Sequence, residues 1–277
     1  MNGWLVYERD NIQRNQFFVD RWMQAGARRG IALQLVTTDV IRMGVMDGAL
    51  FLSDAEGNVP DFLVMRAQYQ RLSEHAEQMG IPVYNNARVS RFCNDKRRTH
   101  QLLSSLVPMM DTAFVLSETR DCPFPYPVVV KASHACGGRQ VHMAKDDASF
   151  RAALAALAPD SAVVQPLCDT PGRDVRVYVL GNRIVGAMLR YSESDFRSNV
   201  GLGGGSRPYE MDDVLLGHVD RIRGLFRFGL VGVDFLFDKG RLVFNEIEDA
   251  VGTRMLYMHT DRDIAADYLD LILSDMG

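Results

Sequence analysis

Three carboxylates in the C-terminal part of the sequence stand where a plain core strand would be apolar. Asp234 interrupts the apolar run VGVDFLF, and Glu246 and Glu248 alternate in LVFNEIED. Strand geometry puts Glu246 and Glu248 on one face, about 7 Å apart, and a tight turn at 238–240 would bring Asp234 opposite Glu246 or one place off. Converging carboxylates repel one another, so they usually hold a cation, and all-oxygen ligation favours Mg²⁺ or Mn²⁺ over zinc. The alternative is an edge hairpin whose charges lie in water.

A lysine and a glycine loop form the second candidate site, VVVKASHACGGRQV. Here a strand ends at Lys131, and the loop after it carries Gly137 and Gly138. Glycines let backbone N–H groups approach phosphate oxygens, and lysine adds a point charge. The segment has neither the GxxxxGK[ST] pattern of a P-loop nor GxGxxG before a helix. On these residues alone, a nucleotide-binding loop and an ordinary hairpin turn remain equally open.

Arginines form the third group. Arg176 in GRDVRVY and Arg190 at the end of the next strand occupy positions that are usually apolar, and each needs a carboxylate or phosphate partner if it is buried. Arg197 lies in DFRSNVGLGGGSRPYE, a charged, glycine-rich stretch at 195–210 that can bury very little. Any one of these arginines could be a solvated strand residue. Together with the carboxylates and Lys131, they predict a site that holds anionic phosphates around a divalent metal.

The elements that must position these residues follow from the spacing of apolar residues. In the first part of the chain, short buried strands alternate with helices, which predicts a small parallel sheet. The predicted strands are 3–7, 32–36, 61–65 and 82–84, and the predicted helices are 15–29 and 68–79. The pattern changes near residue 93, which we take as a domain boundary.

The rest of the chain is predicted to be rich in β-structure. A helix at about 95–106 precedes a lobe at 127–167 that contains an alanine-rich helix at 147–157. Two hairpins follow, one turning at Gly181-Asn182 and the other at 238–240, with a helix near 211–228 between them and a final helix at about 262–274. The predicted domains are 1–93, 94–167 and 168–277.

Composition excludes several classes of function. The 277-residue chain has 31 basic and 35 acidic side chains and a net charge of −4, so it has no field of one sign to hold a nucleic acid. The N-terminus lacks the apolar core of a signal peptide, and no stretch approaches 18 apolar residues, so no membrane partner is expected. Scattered cysteines indicate reduced thiols and a cytoplasmic protein; they are Cys93, Cys122, Cys136 and Cys168. The six histidines are equally dispersed, and no zinc site is expected.

A run of motifs resembles one family. The order NDKRRTHQLL, VVVKASHACGGRQV, GRDVRVYVLGNRIVGAMLR, DFRSN and GVDFLF followed by NEIE is similar to that of the ATP-grasp ligases. The resemblance is to the RimK-like glutamate ligases and their LysX-like relatives, and it spans about residues 94–250. It implies an α/β (α+β) ATP-grasp fold, in which a small N-terminal parallel α/β domain precedes two β-rich lobes that clasp ATP.

The resemblance also implies roles for individual residues. The implied nucleotide-binding residues are Lys96, Lys131, Gly137, Gly138, Gln165, Leu167 and Asp174. Four residues are implied to be catalytic: Arg176 and Arg190 would steer phosphate or the acyl-phosphate intermediate. Arg197 and Asn199 would meet the γ-phosphate and metal end of the site. The implied ligands of Mg²⁺ or Mn²⁺, expected as two ions, are Asp234, Glu246 and Glu248.

The sequence departs from the family pattern in three places. Glu248 stands where the family usually has asparagine, which adds a negative charge. The adenine hinge reads QPLC, so Gln165 or backbone groups of Leu167 must recognise the base, since proline at the intervening position removes a donor. The phosphate loop has Ala135 and Gln140 where glycines are frequent.

The activity implied by the resemblance is that of an ATP-dependent carboxylate-amine ligase. It would form an amide through an acyl phosphate, release ADP and phosphate, and add glutamate or another amino acid to an amino acid, peptide or protein tail. A D-alanine–D-alanine-type ligase is the alternative on the same fold, and a nucleotide-binding sensor without turnover is the alternative outside enzymes. The oligomeric state is left open, including a homo-oligomer.

Three further expectations concern single residues and one loop. The stretch 195–210 is expected to be a mobile loop that brings Arg197 and Asn199 to phosphate. Asp234→Asn is expected to remove turnover while leaving stability close to wild type. Arg66, at the end of the strand DFLVMR, is either a ligand contact at the carboxyl end of a parallel strand or a surface arginine.

Overall fold

The computed structural model describes residues 1–134, 140–198 and 203–277. The predicted site residues Gly137, Gly138 and Asn199 lie outside these ranges. The elements before residue 94 are β1 (Asn2–Tyr7), α1 (Arg9–Arg28), β2 (Ala32–Thr37), β3 (Arg42–Met46), β4 (Ala49–Ser53), β5 (Phe62–Met65), α2 (Gln70–Gln78), β6 (Val83–Tyr84) and α3 (Ala87–Cys93).

A parallel sheet forms the N-terminal region, as the alternation of strands and helices predicts. Its order is β2-β1-β5-β6, and every pairing in it is parallel. The central strand β1 is covered on both faces, because Trp4, Leu5 and Val6 are all fully buried. Helix α1 begins at Arg9, earlier than its predicted start, and packs Phe18 and Trp22 into the core.

The β3–β4 hairpin was not predicted. Its strands pair from Arg42↔Ser53 to Met46↔Ala49, and the connection is Asp47-Gly48. Both connecting residues have positive φ, 50° at Asp47 and 78° at Gly48. Positive φ at both central residues is the geometry of a two-residue type I′ turn.

The second part of the described chain forms an antiparallel sheet. Its elements are α4 (Lys96–Leu103), β7 (Ala113–Val115), β8 (Val128–Ala132), β9 (Val141–Ala144), α5 (Asp147–Leu157) and β10 (Ala162–Pro166). The strand order is β7-β10-β8-β9. Helix α5 has its predicted limits; a capping box of Asp146 and Ser149 starts it, and Phe150 and Leu154 are buried in the core shared with this sheet.

The third part forms a five-stranded antiparallel sheet. Its elements are β11 (Arg173–Leu180), β12 (Arg183–Tyr191), β13 (Gly205–Pro208), α6 (Asp213–Arg223), β14 (Leu230–Asp238), β15 (Arg241–Glu248), α7 (Arg254–His259) and α8 (Ile264–Met276). The order is β13-β12-β11-β14-β15, and both hairpins turn where the sequence predicts. The expectation that 195–210 forms a loop is wrong for its last part, because residues 205–208 form a strand that pairs with β12.

One core joins the parallel sheet to the five-stranded sheet. Trp22 of α1 packs edge-on against Tyr268 of α8, with ring centroids 5.2 Å apart. Leu5 of β1 and Leu180 of β11 belong to the same buried cluster. This shared core fixes the carboxyl ends of β1 and β5 against the C-terminal sheet. Each of the three large sheets lies within one predicted domain, although the domain limits themselves stay predictions.

No helix within the described ranges is both long and apolar enough to cross a membrane.

Candidate active site

A cleft of about 800 Å³ is lined by residues of α1, of the four-stranded antiparallel sheet and of the five-stranded sheet. The predicted site residues that line it are Lys96, Lys131, Gln165, Leu167, Asp174, Arg176, Arg190, Arg197, Glu246 and Glu248. Among the predicted residues that the structure describes, Asp234 is the exception. The structure therefore brings nearly all of them to one place, although they come from segments far apart in the chain.

Alternating charges cross the face of the five-stranded sheet. We call Asp174, Arg190, Asp234, Arg176 and Glu248 the charge ladder. Strand register produces it: Asp174 lies opposite Arg190 on β12, and Arg176 lies opposite Asp234 on β14. Each residue is therefore held by a backbone ladder, and acids and bases meet across neighbouring strands.

Asp234 is the centre of the ladder. Its Oδ1 accepts a hydrogen bond from Arg176 Nε at 2.8 Å, and its Oδ2 accepts from Arg176 Nη2 and from Arg190 Nη2, both at 2.7 Å. Arg190 also donates to both oxygens of Asp174, at 2.6 and 2.5 Å. The remaining nitrogen of Arg176, Nη1, contacts Glu248 Oε2. Asp234 is fully buried, so these arginines take the place of water around it.

The electrostatics of the ladder keep Asp234 ionised. Burial alone would raise the pKa of Asp234, but Arg176 and Arg190 outweigh it and lower that pKa to about 2. Burial likewise opposes the charge on Arg176, and Asp234 and Glu248 more than offset it, so the pKa of Arg176 lies well above its ordinary value. The pKa of Glu248 is raised, because burial outweighs the attraction of Arg176. Glu248 is thus more easily protonated than Asp234.

Gly232 makes room for the ladder. A Cβ at this position would lie 2.7 Å from Val251 Cγ2 and 3.1 Å from Arg176 Cδ. Both separations are shorter than ordinary carbon contacts. The glycine in LVGVDF therefore lets the side chain of Arg176 pass over β14 and reach Glu248, which lies opposite Gly232 on β15.

Two lysines face the ladder from the N-terminal side of the cleft. Lys96, at the first turn of α4, lies with its Nζ 3.2 Å from Glu246 Oε2. Lys131, on β8, donates from Nζ to Asn245 Oδ1 at 2.7 Å. Burial lowers the pKa of Lys131 to about 8. An anionic ligand in the cleft would offset the free-energy cost of burying the charged form of Lys131.

A β-bulge turns Asn245 towards the site. Asp234 lies opposite Glu246, as residue parity predicts, but Phe235 lies opposite Phe244, so Asn245 is the extra residue on β15. A bulge re-aims a side chain and is common beside active sites. Asn245 thereby reaches Lys131, a contact that strict alternation along the strand does not predict.

Most polar groups of the predicted adenine hinge already hydrogen-bond to other parts of the protein. Gln165 Nε2 lies 2.9 Å from Thr112 Oγ1 and 3.1 Å from His100 Nε2, while its Oε1 is buried without a hydrogen-bond partner. The N–H of Leu167 donates to Pro127 O at 3.1 Å. The carbonyl of Leu167 is therefore its candidate group for contact with a base.

Arg197 lies at the edge of the cleft. Its Nη2 donates to Asp195 Oδ2 at 2.7 Å, and its backbone N–H donates to Asp195 Oδ1 at 2.9 Å. The guanidinium also lies 5.6 Å from the centre of the Phe196 ring. The DFR segment is thus a compact local turn that presents Arg197 to the cleft.

Comparison with known proteins identifies the family. The family model described as the RimK-like ATP-grasp domain matches residues 94–272. The chain belongs to this family. The probable alpha-L-glutamate ligase 2 of Hahella chejuensis is 24% identical over 291 residues, covering 96% of this chain and 95% of the relative. The alpha-aminoadipate–LysW ligase LysX of Saccharolobus solfataricus is 26% identical over 178 residues, covering 60% and 64%.

A solved structure confirms the fold over the whole chain. The crystal structure of a RimK domain ATP-grasp protein from Sphaerobacter thermophilus superposes with a TM-score of 0.73 at 19% identity, covering 99% of this chain and 100% of that one. The predicted ATP-grasp fold is therefore confirmed. RimK-like ATP-grasp proteins belong to the ATP-binding carboxylate-amine ligases, which typically use divalent metal ions as well.

The three acids of this RimK-like site differ in whether their oxygens are free to bind such an ion. In the described part of the chain, no group of three His, Cys, Asp or Glu side chains is arranged to hold a metal. Glu246 and Glu248 line the cleft with side chains 28% and 18% exposed, so their oxygens suit an ion that prefers oxygen ligands. Asp234 offers no such oxygen while both arginines bind it. The metal-binding role of the three acids stays a prediction, and for Asp234 it requires Arg176 to move away.

Several residues of the site were not predicted from the sequence. Asn245 is one of them, and its signal was a polar residue beside Glu246 in NEIE. His100 is another: it lies one helical turn from Lys96, and its Nδ1 bonds Lys96 O at 2.7 Å. Thr112 and Arg14 carry no sequence signal, since one follows an irregular segment and the other is an exposed position of a long amphipathic helix.

Proposed function

We propose that this protein is an ATP-dependent carboxylate-amine ligase that forms an amide through an acyl phosphate and releases ADP and phosphate. The observation that carries the proposal is the gathering of positive charges around one cleft that also contains Glu246 and Glu248. These positive charges are Lys96, Lys131, Arg176, Arg190 and Arg197. Phosphoryl transfer depends chiefly on positioning and on neutralising charge. A cleft with this composition supplies both and needs no side-chain nucleophile.

The proposed reaction has two steps. A carboxylate oxygen of the acid attacks the γ-phosphorus, the bond to the β–γ bridging oxygen breaks, and ADP leaves. The amine then attacks the acyl carbon, the bond to the phosphate oxygen breaks, and the nitrogen gives its proton to the leaving phosphate as the amide forms. Lys96 and Lys131 would neutralise phosphate oxygens, and Arg197 would stabilise the charge on the transferred group. A divalent ion held by Glu246 and Glu248 would supply further positive charge there.

The identity of the substrates is a finer proposal. Relatives are named as a probable alpha-L-glutamate ligase and an alpha-aminoadipate–LysW ligase. These names support an amino acid as one of the two substrates. The partners we propose are therefore ATP, an amino acid and a second molecule that supplies the other reacting group.

A coupled assay of ADP release tests this function. The full chain is incubated with ATP, Mg²⁺ and a matrix of acids and amines, with each acid and each amine also tested alone. We expect rapid ADP release only when an acid and an amine are both present. Release that needs the acid but never an amine would mean an acyl kinase, and no stimulated release with any pair would mean an ATP-binding sensor.

A pair of lysine variants provides the control for that assay. Lys131→Met removes a buried charge from the cleft and is expected to abolish stimulated release. Lys145→Met removes a charge from an exposed position next to α5 and is expected to keep wild-type release. Equal activity of the two variants would contradict the assignment of the cleft.

A further inference from the structure

The segment that follows the candidate metal ligand Glu248 is held by side chains from the N-terminal part of the chain. The ladder between β14 and β15 ends at Glu248. Beyond it, Asn85 Nδ2 lies 3.1 Å from Asp249 O, and Arg66 Nη2 donates to Val251 O at 2.6 Å. Side chains therefore bind these two carbonyls just where the pairing of the strands stops.

Asp249 is the centre of these contacts. It is 3% exposed; its Oδ1 accepts a hydrogen bond from Asn85 Nδ2 at 2.6 Å, and its Oδ2 accepts from Asn94 Nδ2 at 3.0 Å. Burial raises the pKa of Asp249, whereas the two amides and the charge of Arg66 favour its ionised form. Arg66 is itself 6% exposed, which excludes the surface arginine that the sequence left open. Asp249 is thus a buried acid with a donor on each oxygen and a buried cation within electrostatic reach.

The fold of the N-terminal region brings the three donors together. Arg66 directly follows β5, Asn85 directly follows β6, and Asn94 directly follows α3. Strands β5 and β6 are parallel neighbours, so their carboxyl ends meet at one edge of the sheet. This edge of the parallel sheet, together with the end of α3, therefore supports the end of β15.

Asn85 also binds the start of β14. Its Oδ1 accepts from the N–H of Gly229 at 2.6 Å, and its Nδ2 lies 2.9 Å from Leu230 O. Gly229 makes this approach possible, because a Cβ there would lie 2.7 Å from Asn85 Oδ1. One side chain thus connects the start of the strand that carries Asp234 to the end of the strand that carries Glu248.

Glu248 is consequently held from two sides. Its side chain meets Arg176 of the charge ladder, and its backbone continues directly into Asp249. Fully hydrogen-bonded buried networks make a structure rigid, and removing a group that orients a metal ligand commonly lowers metal affinity about 10–100-fold. We propose that Asp249 is a positioning residue, which is bound by Asn85 and Asn94 and thereby fixes Glu248 for a divalent ion that binds with ATP. This inference rests on the proposed function, because it assigns the ion of that reaction to Glu248.

Nucleotide binding with and without metal tests the inference without turnover. Isothermal titration of the full chain with the non-hydrolysable ATP analogue AMP-PNP is carried out once in Mn²⁺ and once in EDTA. Asp249→Asn keeps the shape of the side chain but turns one acceptor oxygen into a donor, which then faces the amide of Asn85 or Asn94. We expect this variant to bind AMP-PNP about tenfold more weakly than wild type in Mn²⁺ and equally well in EDTA. A merely structural role would lower both affinities together.

An exchange of donor and acceptor provides a rescue. When Asp249→Asn is combined with Asn94→Asp, the amide introduced at 249 can donate to the carboxylate introduced at 94, and the double variant should recover most of the affinity in Mn²⁺. Asn94→Ala removes one hydrogen bond at a half-buried position, so it should show a smaller loss of the same kind even if Asp249→Asn folds poorly. The structural control is Asp54→Asn, because Asp54 is 1% exposed and accepts from the N–H of Asn58 at 2.8 Å in the loop after β4. This control should lower the urea midpoint but keep both affinities.

Several results would overturn the positioning role. It is wrong if Mn²⁺ does not raise the affinity of wild type for AMP-PNP, or if Asn94→Ala and a folded Asp249→Asn both bind as wild type does. It is equally wrong if the losses are the same in Mn²⁺ and in EDTA, or if the double variant binds no better than Asp249→Asn. If ADP release depends on an acid and an amine while these variants keep their affinity in Mn²⁺, the ligase function stands and the positioning role fails. If the loss in Mn²⁺ and its rescue both occur but no pair stimulates ADP release, the positioning role stands and the ligase function fails.

Discussion

Asp234→Asn tests the charge ladder through stability. The substitution keeps the shape of the side chain but removes the negative charge that faces Arg176 and Arg190. The sequence alone predicts stability close to wild type, whereas the structure predicts a loss, because the aspartate is fully buried and both arginines are buried with it. A pKa lowered from 3.8 to about 2 corresponds to about 2 kcal/mol at neutral pH. Breaking a buried ion pair costs about 3–5 kcal/mol. We therefore expect a loss of about 2–4 kcal/mol.

Urea denaturation at pH 7 measures this loss. The matched control is Asp270→Asn, because Asp270 accepts from Arg29 Nε at 2.6 Å but is 57% exposed. An exposed pair contributes about 0–1 kcal/mol, so the control should unfold nearly as wild type does. The contribution of Asp234 is fully present above its unfolded pKa of about 4 and is lost as the pH falls towards 2. The difference between wild type and Asp234→Asn should shrink in that range. Equal stability of the two variants at pH 7 would refute the reasoning, since the arginines would then not depend on Asp234.

Three further predictions concern single residues around the cleft. Burial lowers the pKa of His100 to about 4, so as the pH falls from 6.5 to 4 the unfolded chain takes up the proton first and wild type should lose about 3 kcal/mol of stability. His100→Gln should remove most of this pH dependence. The same dependence of stability on pH in both proteins would contradict this. Lys131→Met should weaken binding of a fluorescent ATP analogue at least tenfold. It should not lower the urea midpoint, because the buried charge of Lys131 opposes folding. A lower midpoint would instead give Lys131 a structural role. Gly232→Ala should lower the free energy of unfolding by about 1–3 kcal/mol through overpacking and should reduce turnover. The control Gly252→Ala, whose added Cβ has no atom within 4 Å, should melt as wild type does. Equal melting temperatures of the two variants would contradict the close approach at Gly232.

Local patterns predicted most of the fold. Alternating strands and helices gave the parallel sheet, and the residues at Gly181-Asn182 and 238–240 gave both C-terminal hairpins. The β3–β4 hairpin was missed although Asp47-Gly48 is a strong type I′ signal, because its strands are short and only partly buried. Strand β13 was missed for another reason: its glycine-rich sequence has no strand pattern, and pairing with β12 is what orders it.

The site was predictable as a set of residues but not as a set of contacts. Strand parity placed Asp234 opposite Glu246 or one place off, polar residues in apolar strands indicated Lys131 and the arginines, and the resemblance added Lys96. The sequence could not show that Arg176 bonds Asp234, because an acid cluster and an acid-base ladder have the same residue spacing. The bulge at Asn245 and the burial of Arg66 depend on tertiary packing, which no local pattern encodes.

The transfer of labelled oxygen tests the central claim most directly. The acid substrate found in the ADP assay is prepared with ¹⁸O in both carboxylate oxygens and is turned over with ATP and its amine. If a carboxylate oxygen attacks the γ-phosphorus, one ¹⁸O appears in each inorganic phosphate released, and the amide keeps the other. Phosphate that carries no ¹⁸O, or label that appears in AMP, would contradict the acyl-phosphate reaction that we propose for this cleft.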